Sequence, residues 1–459
     1  MHVIGSTGEG KSKFLEMLAR QNIQAGYGCC FIDPTDRGET YYKILRYAIR
    51  KKYPKVCLID PHDVQAFNIV PTINPIHYKT PVPVVTADIM DAMRILWASK
   101  DFSDTPRIER FLSALIKAIH AAGGTLADLK YFTTRTGAPA EANKILHALA
   151  PNDEQRNMLE AVFRNDTAFK DFTSTVNRIQ HFSDETMAVV FGSKIYPINF
   201  QQLVAENYLI LVNLDHEGVF GKAHQRLLGT LIINEISTAI SRLRNSGWQG
   251  HHYLIIDEAG DYANAKISHI LDKKRKSGLF LTIGHQRFDQ FQERDVASAV
   301  FSGCKNKVMF ATASRDDRDK MISMMYGGQL SDRDVSYHLS SLPKQNCIIK
   351  KNKLSPIKVR INDLPDVLMS RDEVDAWKEQ HYKSAPWYRA KKGVEEEIRQ
   401  RFARPTNTYK KDATDEPGPN SGRSGASKIP YNLTSSRAVL RNQKGRSTRK
   451  IVQDSPKSK

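Results

Sequence analysis

Short apolar runs recur along the chain, and helical patterns separate them. The stretch Lys222–Arg244, for example, repeats leucine and isoleucine every three or four residues, which is the period of a helix that buries one face. This alternation of strands and helices favours an α/β fold with a mostly parallel sheet and helices on both faces. The runs predicted as strands are His2–Ile4, Gly28–Ile32, Val56–Ile59, Tyr208–Leu214, His252–Ile256, Leu279–Ile283 and Lys307–Ala311.

Polar side chains follow most of these runs at the point where each predicted strand ends. The carboxyl ends of parallel strands share one edge of a sheet, and open α/β sheets build their ligand sites there. We therefore expect a ligand site at that edge. The residue pairs that follow the strands, each with at least one polar member, are Asp33-Pro34, Asp60-Pro61, Asp215-His216, Asp257-Glu258 and His285-Gln286.

The pattern changes twice along the chain and divides it into regions. Residues 84–191 carry helical patterns and no convincing strand, so we predict an all-helical insert between two parts of a sheet domain, residues 1–83 and 192–364. Arg371–Arg401 is charged and helical, within a C-terminal helical extension of residues 365–404. Residues 405–459 are rich in Ser, Gly, Pro, Lys and Arg, which predicts a disordered basic tail.

Composition limits the classes of protein to which the chain can belong. The chain has 459 residues, 40% hydrophobic content and a formal net charge of +18. No apolar run is long enough to span a membrane and no signal peptide is visible, so we predict a cytoplasmic protein with no transmembrane segment. The five cysteines lack metal-ligand spacing and are predicted to be buried and reduced. The excess positive charge favours a polyanionic partner, nucleic acid first and an acidic membrane surface second.

The most informative motif is Gly5-Ser6-Thr7-Gly8-Glu9-Gly10-Lys11-Ser12, which lies between the first predicted strand and a helix. Glycines let the backbone curl so that its N–H groups face a phosphate, and the helix that follows adds the positive end of its dipole. Lys11 supplies a charge for the outer phosphates, and the Ser12 hydroxyl is placed to hold Mg²⁺. The motif predicts ATP binding with Mg²⁺.

A second motif, Asp257-Glu258, follows the apolar strand His252–Ile256. Such a pair is typical of the second half of an ATPase site. Asp257 would support the Mg²⁺ shell, and Glu258 would orient and polarise the attacking water. Gln286, at the end of the next strand, would bond the γ-phosphate or the water and report hydrolysis. Alone, either signal would also fit a strand that leaves the core.

Basic residues cluster in Lys273-Lys274-Arg275-Lys276, just before the strand Leu279–Ile283. A charge run of this kind is usually a solvated face. In a ring-forming ATPase, Arg275 could instead reach the γ-phosphate of a neighbouring subunit and stabilise the transition state. Arg315 and Arg318 are the alternatives for this role.

The order of these motifs resembles the HerA/FtsK superfamily of DNA-pumping ATPases, and its closest-looking branch is that of TraG/TraD-type conjugative coupling proteins and HerA-like ATPases. The stretches that carry the resemblance are Phe31-Ile32-Asp33-Pro34, Leu58-Ile59-Asp60-Pro61 with Phe67-Asn68, Leu211-Val212-Asn213-Leu214, and Arg275-Lys276-Ser277-Gly278 through His285-Gln286. Two features depart from the pattern. Ser277 replaces an aromatic residue, and the chain opens at its first strand, without the transmembrane helices or the β-barrel found before it in the family.

The resemblance implies a RecA-like P-loop NTPase core, a helical insert, ATP with Mg²⁺, a homo-hexameric ring and DNA in its central pore. It further implies a relaxase, nuclease or secretion-channel partner, which could hold the protein at the inner membrane. The leading hypothesis is an ATP-driven DNA translocase with Glu258, Gln286 and Arg275 as its catalytic residues. A nucleotide-switched recruitment module of a type IV secretion system and a viral or plasmid DNA-packaging ATPase are the alternatives.

Overall fold

The computed structural model describes residues 1–76, 80–96, 105–134, 140–217, 219, 221–262, 265–273, 277–291, 294–326 and 339–402. Contacts divide the chain into two units, Met1–Pro405 and Thr406–Lys459. The first unit holds every element described below. The predicted disordered tail, residues 405–459, lies outside the described residues.

Eleven strands form the sheets of the described chain. Nine of them build one sheet in the order β10-β9-β8-β1-β7-β6-β2-β5-β3, and β4 pairs with β11 in a small second sheet. The strands are β1 His2–Ile4, β2 Gly28–Asp33, β3 Val56–Ile59, β4 Ile69–Pro71, β5 Leu209–Asn213, β6 His252–Ile256, β7 Leu279–His285, β8 Asn306–Met309, β9 Asn346–Lys351, β10 Ile357–Arg360 and β11 Tyr388–Ala390.

The large sheet confirms the predicted α/β class. Its seven predicted strands pair in parallel, and only β9 and β10 add antiparallel pairs at one edge. The parallel strands were detectable in the sequence because strands buried on both faces read as continuous apolar runs. Of the four strands that the sequence did not reveal, β4 and β11 have only three residues each, and β10 alternates apolar residues with Lys358 and Arg360.

Sixteen α-helices accompany the strands in the described residues. They are α1 Lys11–Ala25, α2 Glu39–Arg50, α3 Asp63–Ala66, α4 Val82–Leu96, α5 Thr105–Ala121, α6 Ala140–Leu146, α7 Glu154–Arg164, α8 Asp166–Ile179, α9 Glu185–Val190, α10 Phe200–Ala205, α11 Lys222–Asn245, α12 Ala265–Lys273, α13 Arg294–Gly303, α14 Arg315–Tyr326, α15 Arg371–His381 and α16 Lys391–Gln400. None of these helices combines the length and apolar character needed to cross a bilayer.

Alternate side chains of strand β2 face two different hydrophobic cores. In β2, Cys30 and Ile32 face a core shared with α11 and the helices of the insert, whereas Cys29 and Phe31 face one shared with α1 and α2. This alternation follows from the two-residue period of a strand. The sheet is therefore covered by helices on both faces. All five cysteines are buried and free, as predicted.

Helices α4 to α9 and two short 3₁₀ turns occupy the described part of residues 84–191. The domain boundaries themselves stay predictions, because the insert shares one continuous core with the sheet. The predicted helical stretch Arg371–Arg401 contains two helices rather than one. Helices α15 and α16 are separated by β11, because Pro386 cannot continue a helix and the backbone after it pairs with β4.

Candidate active site

The loop Gly5–Ser12 joins β1 to α1 and is held from two sides. The Ser6 amide donates to the Ala311 carbonyl (3.0 Å), and the Glu9 carbonyl accepts from the Gln345 amide (3.0 Å). Gly10 has φ of 110°, and a Cβ there would lie 3.2 Å from the Gln345 Cα, so only glycine fits without strain. The loop thus reaches α1 in a shape that a side chain at position 10 would disturb.

The start of α1 is open to an anion. Its N-cap, Gly10, has no side chain to accept from the first-turn amides, and those amides have no acceptor within the helix. The positive end of the helix dipole adds to their attraction for a phosphate. These features fit the predicted phosphate-binding role of Gly5, Ser6, Thr7, Gly8, Glu9, Gly10, Lys11 and Ser12.

The structure brings the two sequence motifs together at the carboxyl edge of the sheet. The Ser12 hydroxyl donates to Asp257 Oδ2 (2.7 Å), and Lys11 Nζ lies 3.7 Å from Asp257 Oδ1 while also donating to Glu258. Asp257 is fully buried, and burial raises the pKa of its carboxyl group against the opposing effect of Lys11. A hydroxyl and a carboxylate side by side at a phosphate-binding turn are ligands that suit Mg²⁺.

Magnesium and nucleotide therefore fit the residues that are present. In the described part of the chain, no three His, Cys, Asp or Glu side chains converge to hold a metal by themselves. Ser12, together with Asp257 directly or through a hydration shell, would hold Mg²⁺ along with nucleotide phosphates, since magnesium commonly keeps waters and binds substrate oxygens.

Glu258 occupies a left-handed backbone conformation, with φ of 51°. Such a conformation costs a non-glycine residue about 1–3 kcal/mol and is enriched at functional sites. Two amide side chains approach its carboxylate: Gln286 Nε2 donates to Oε1 (2.8 Å) and Gln290 Nε2 donates to Oε2 (3.4 Å). The left-handed backbone therefore orients the Glu258 carboxylate toward the side-chain amides of Gln286 and Gln290.

Gln286 links the phosphate-binding loop to the acid. Its Oε1 accepts from the Thr7 hydroxyl (2.8 Å), while its Nε2 donates to Glu258. The predicted location of Gln286 beside the site is therefore observed, and its catalytic role stays a prediction. Gln290 was missed, because a glutamine five residues beyond the strand, in a short 3₁₀ turn, carries no sequence signal of its own.

A stacked pair of histidines lies beneath the loop. The His2 and His285 rings are 4.8 Å apart at their centroids, and His285 Nδ1 donates to the Arg287 carbonyl (3.0 Å). Burial lowers the pKa of His285 to about 3 and that of His2 well below its ordinary value, so both rings stay neutral. Neither reaches the acids of the site, so their contribution is to packing at the end of β7.

The arginine predicted to act in trans is not placed by the structure, since Arg275 lies outside the described residues. Of its two alternatives, Arg315 is largely exposed at the start of α14 and lies 3.8 Å from Asp319. Arg318 donates to the carbonyls of Thr312 and Ala313 (3.0 and 2.8 Å), which occupies part of its guanidinium within the subunit.

The remaining acids at the strand ends serve the fold. Asp33 accepts from the amides of Thr35 and Tyr41 (3.0 and 2.7 Å), and burial raises its pKa to about 6. Asp215 accepts from the Arg37 amide (2.9 Å). The sequence pattern predicts that these carboxylates lie at one edge of the sheet, and they do. They accept hydrogen bonds from backbone amides of the protein itself.

Asp60 belongs to a buried charge cluster that sequence reasoning missed. Lys378 of α15 donates to Asp60 (3.1 Å) and to both oxygens of Asp63 (3.0 Å each), and the Tyr382 hydroxyl donates to Asp63. We call Lys378, Asp60, Asp63 and Tyr382 the Lys378 cluster. It fixes the C-terminal extension against the end of β3. No local sequence motif predicts this cluster, because its aspartates are more than 300 residues away in sequence from Lys378 and Tyr382.

Comparison with known protein families matches the second half of the candidate site. Residues 251–378 match the family described as the TraM recognition site of TraD and TraG. The matched segment contains Asp257, Glu258 and Gln286 and ends at Lys378, whereas the loop Gly5–Ser12 lies outside it. Among curated proteins, none matches the chain.

Solved structures share the fold at low sequence identity. The bacterial conjugative coupling protein TrwBdeltaN70, in its unbound monoclinic form, is 16% identical over 80% of this chain and 86% of its own, with a TM-score of 0.51. The plasmid coupling protein TrwB in complex with ADP and Mg²⁺ is 18% identical over 81% and 87%, with a TM-score of 0.53. VirB4 of Thermoanaerobacter pseudethanolicus is 14% identical over 79% and 89%, with a TM-score of 0.53. The resemblance to TraG/TraD-type P-loop ATPases that the order of motifs predicts is thus confirmed, by the family match and by the shared RecA-like fold.

Proposed function

We propose that this chain is an ATP-driven DNA translocase that acts in conjugative or mobile-element DNA transfer. The observation that carries the proposal is the meeting of Lys11 and Ser12 with Asp257, Glu258 and Gln286 at one edge of the sheet. These are the groups that phosphoryl transfer from ATP to water needs.

Each residue has a defined task in the proposed reaction. Lys11 and the first-turn amides of α1 bind the outer phosphates, and Ser12 and Asp257 hold Mg²⁺. When bound, Mg²⁺ neutralises charge that develops on the phosphoryl group in transfer. Glu258 orients the attacking water and accepts its proton, which requires that Lys11 move from Glu258 toward the phosphates. Gln286 contacts both the phosphate loop and the acid, so it is placed to respond to hydrolysis.

The DNA partner is inferred from charge and from likeness. The formal net charge is +18, and residues 401–459 carry 14 Lys and Arg against 4 Asp and Glu. Such an excess gives sequence-independent, salt-sensitive affinity for phosphate backbones. The coupling proteins and VirB4 among the similar structures support a place in a type IV secretion pathway. The proposed homo-hexameric ring rests on the resemblance of the sequence motifs to the HerA/FtsK superfamily. The match to the TraM recognition site supports a protein partner that contacts residues 251–378.

The test of the motor is DNA-stimulated ATP hydrolysis. We expect DNA to stimulate hydrolysis by the wild-type protein, and we expect Lys11→Ala to abolish both basal and stimulated rates. The exposed Lys383→Ala serves as a charge-matched control that leaves both rates unchanged. Hydrolysis by the wild-type protein that is indifferent to DNA would argue against translocation.

A nucleotide-switched recruitment module is the second candidate. It would bind partners in one nucleotide state, with hydrolysis only resetting it. The network around Glu258 favours sustained turnover, because a pure switch does not need a poised base. Steady-state turnover on DNA separates the two: a switch stops after about one hydrolysis event per binding cycle. A packaging ATPase shares all of the chemistry, and neighbouring capsid genes rather than relaxase genes would favour it.

The trans arginine remains a separate proposal for Arg275. Subunits with Arg275→Ala, mixed with Glu258→Gln subunits, should recover hydrolysis, because an interface can then combine one intact Glu258 with one intact arginine. The same mixture with Arg315→Ala serves as the comparison. Recovery with Arg315→Ala and none with Arg275→Ala would assign the role to Arg315.

A further inference from the structure

Gln290 uses both ends of its side-chain amide, although the proposed reaction gives it no task. Its Oε1 accepts from the backbone amides of Gln286 (2.8 Å) and Arg287 (3.0 Å), at the turn that follows β7. Its Nε2 donates to Glu258 Oε2 at 3.4 Å. One side chain therefore contacts the acid and the backbone that carries Gln286.

The orientation of this amide follows from its partners. Two backbone N–H donors require an oxygen facing them, so the nitrogen of Gln290 must face Glu258. The other carboxylate oxygen of Glu258 receives Lys11 and Gln286. Gln290 is thus the neutral donor on the second oxygen, and it remains in place when Lys11 turns to a phosphate.

The backbone at Gly260 packs closely against the side chain of Gln290. A Cβ on Gly260, two residues beyond Glu258, would lie 2.6 Å from the Gln290 Cβ. No side chain fits at position 260 unless Gln290 moves. The segment after Glu258 and the turn after β7 therefore touch at this point, and a displacement of either one is passed to the other.

We propose that Gln290 is a positioning residue for ATP hydrolysis, which holds the carboxylate of Glu258 in register with Gln286. The inference rests on the proposed function and deepens it. A glutamate side chain has several rotamers, and a general base is effective only within hydrogen-bond reach of the proton it takes. Gln290 restricts Glu258 to one orientation and ties that orientation to the turn that carries Gln286.

Two substitutions separate the contacts of Gln290. Gln290→Glu keeps an acceptor for the amides of Gln286 and Arg287 but places a second carboxylate beside Glu258. Gln290→Met is of similar length and removes both contacts. Gln380→Glu, an exposed position on α15, introduces the same charge far from the site.

We expect Gln290→Glu to lower kcat about 10- to 100-fold, with the Kd for Mg·ATP within about threefold of wild type, since the loss falls on the base and not on the phosphates. Gln290→Met should also lower kcat, again with little change in the Kd for Mg·ATP, and Gln380→Glu should match wild type.

Several outcomes would overturn the inference. A kcat for Gln290→Glu within about twofold of wild type would show that Glu258 needs no such support. A parallel loss of ATP affinity and thermal stability in both variants would assign Gln290 a structural role only. A wild-type protein that binds ATP without hydrolysing it would refute the proposed function as well, whereas active wild type with active variants refutes the positioning role alone.

Discussion

Two places in the molecule set a lysine against two carboxylates, and they differ in what surrounds the charges. At the candidate active site, Lys11 lies beside Asp257 and Glu258, next to a glycine loop, an open helix end and two glutamine side chains. In the Lys378 cluster, Lys378 is fully buried between Asp60 and Asp63. The rings of Tyr41, Tyr42 and Phe67 lie within 5.3–6.0 Å of its ammonium group.

The surroundings of each lysine determine whether its ion pairs can take part in a reaction or only hold the fold together. Glu258 keeps 15% of its side chain exposed, and the amides around it can exchange partners with a ligand. The Lys378 cluster is sealed by aromatic rings and offers no room for exchange. A buried ion pair adds little net stability but is costly to break from one side. We therefore expect substitutions at the first place to change rates and substitutions at the second to change stability.

The largest effect should come from Glu258→Gln. Removing the base should lower kcat for ATP about a hundredfold to ten-thousandfold, with little change in the free energy of unfolding. Steady-state hydrolysis and urea unfolding measure the two quantities, and the exposed Glu379→Gln is the control. A stability loss as large as that of the Lys378 variants would remove the contrast between the two places.

Lys378→Ala should show the opposite profile. It leaves the ionised Asp60 buried without its counter-charge and removes a hydrogen-bond donor from Asp63, so we expect the free energy of unfolding to fall by about 3–5 kcal/mol. Protein that remains folded should still bind ATP, because the cluster lies apart from the phosphate loop. Urea unfolding of this variant, beside the exposed Lys383→Ala, provides the measurement. Equal stability of the two variants would mean that the Lys378 cluster does not stabilise the packing of the C-terminal extension against the end of β3.

The pH dependence of stability should report Asp63. Burial and the charge of Asp60 raise the pKa of Asp63 to about 7, whereas the lysine holds the pKa of Asp60 below its usual range. Folded Asp63 therefore keeps a proton that the unfolded chain releases above about pH 4. Its contribution to stability is present at low pH and is lost as the pH rises toward 7.

Asp63→Asn cannot release that proton, so it should lose less stability than wild type between about pH 5 and about pH 8. Urea unfolding at the two pH values gives the comparison, with the exposed Asp366→Asn as control. Identical pH slopes for wild type and Asp63→Asn would show that Asp63 is ionised throughout this range.

The smallest effect is expected for Tyr382→Phe. The change removes one hydroxyl that donates to Asp63 and leaves the ring in place, which should cost about 1–3 kcal/mol. Thermal or urea unfolding measures it against Tyr196→Phe, where the side chain is largely exposed. A cost equal to that of Lys378→Ala would move the main support of the cluster from the lysine to the tyrosine.

How much could be predicted from the sequence follows from the range of the interactions. The seven parallel strands, the loop Gly5–Ser12 and the Asp257-Glu258 pair are written in contiguous residues, so local patterns reveal them. The polar residues at the strand ends also predicted the edge of the sheet at which these two motifs meet. The Lys378 cluster and the pairing of β4 with β11 depend on segments more than 300 residues apart, and no local pattern encodes them.

Gln290 falls between these cases. It lies only four residues beyond Gln286, yet its importance depends on a left-handed backbone at Glu258 and on the absence of a side chain at Gly260. Either feature becomes visible only when the two segments are placed together. The contact between Gln290 and the motif residue Glu258 therefore follows from the folded structure and not from a local sequence pattern.

The most direct test of the account is a calorimetric titration of ATP into the wild-type protein, Lys11→Ala and Asp257→Asn, each with and without Mg²⁺. We predict that the wild-type protein binds ATP, that Mg²⁺ strengthens its binding, that Lys11→Ala weakens binding at least about tenfold, and that Asp257→Asn loses the response to Mg²⁺. Absence of ATP binding by the wild-type protein, or binding unaffected by either substitution, would contradict the claim that these residues form one nucleotide site.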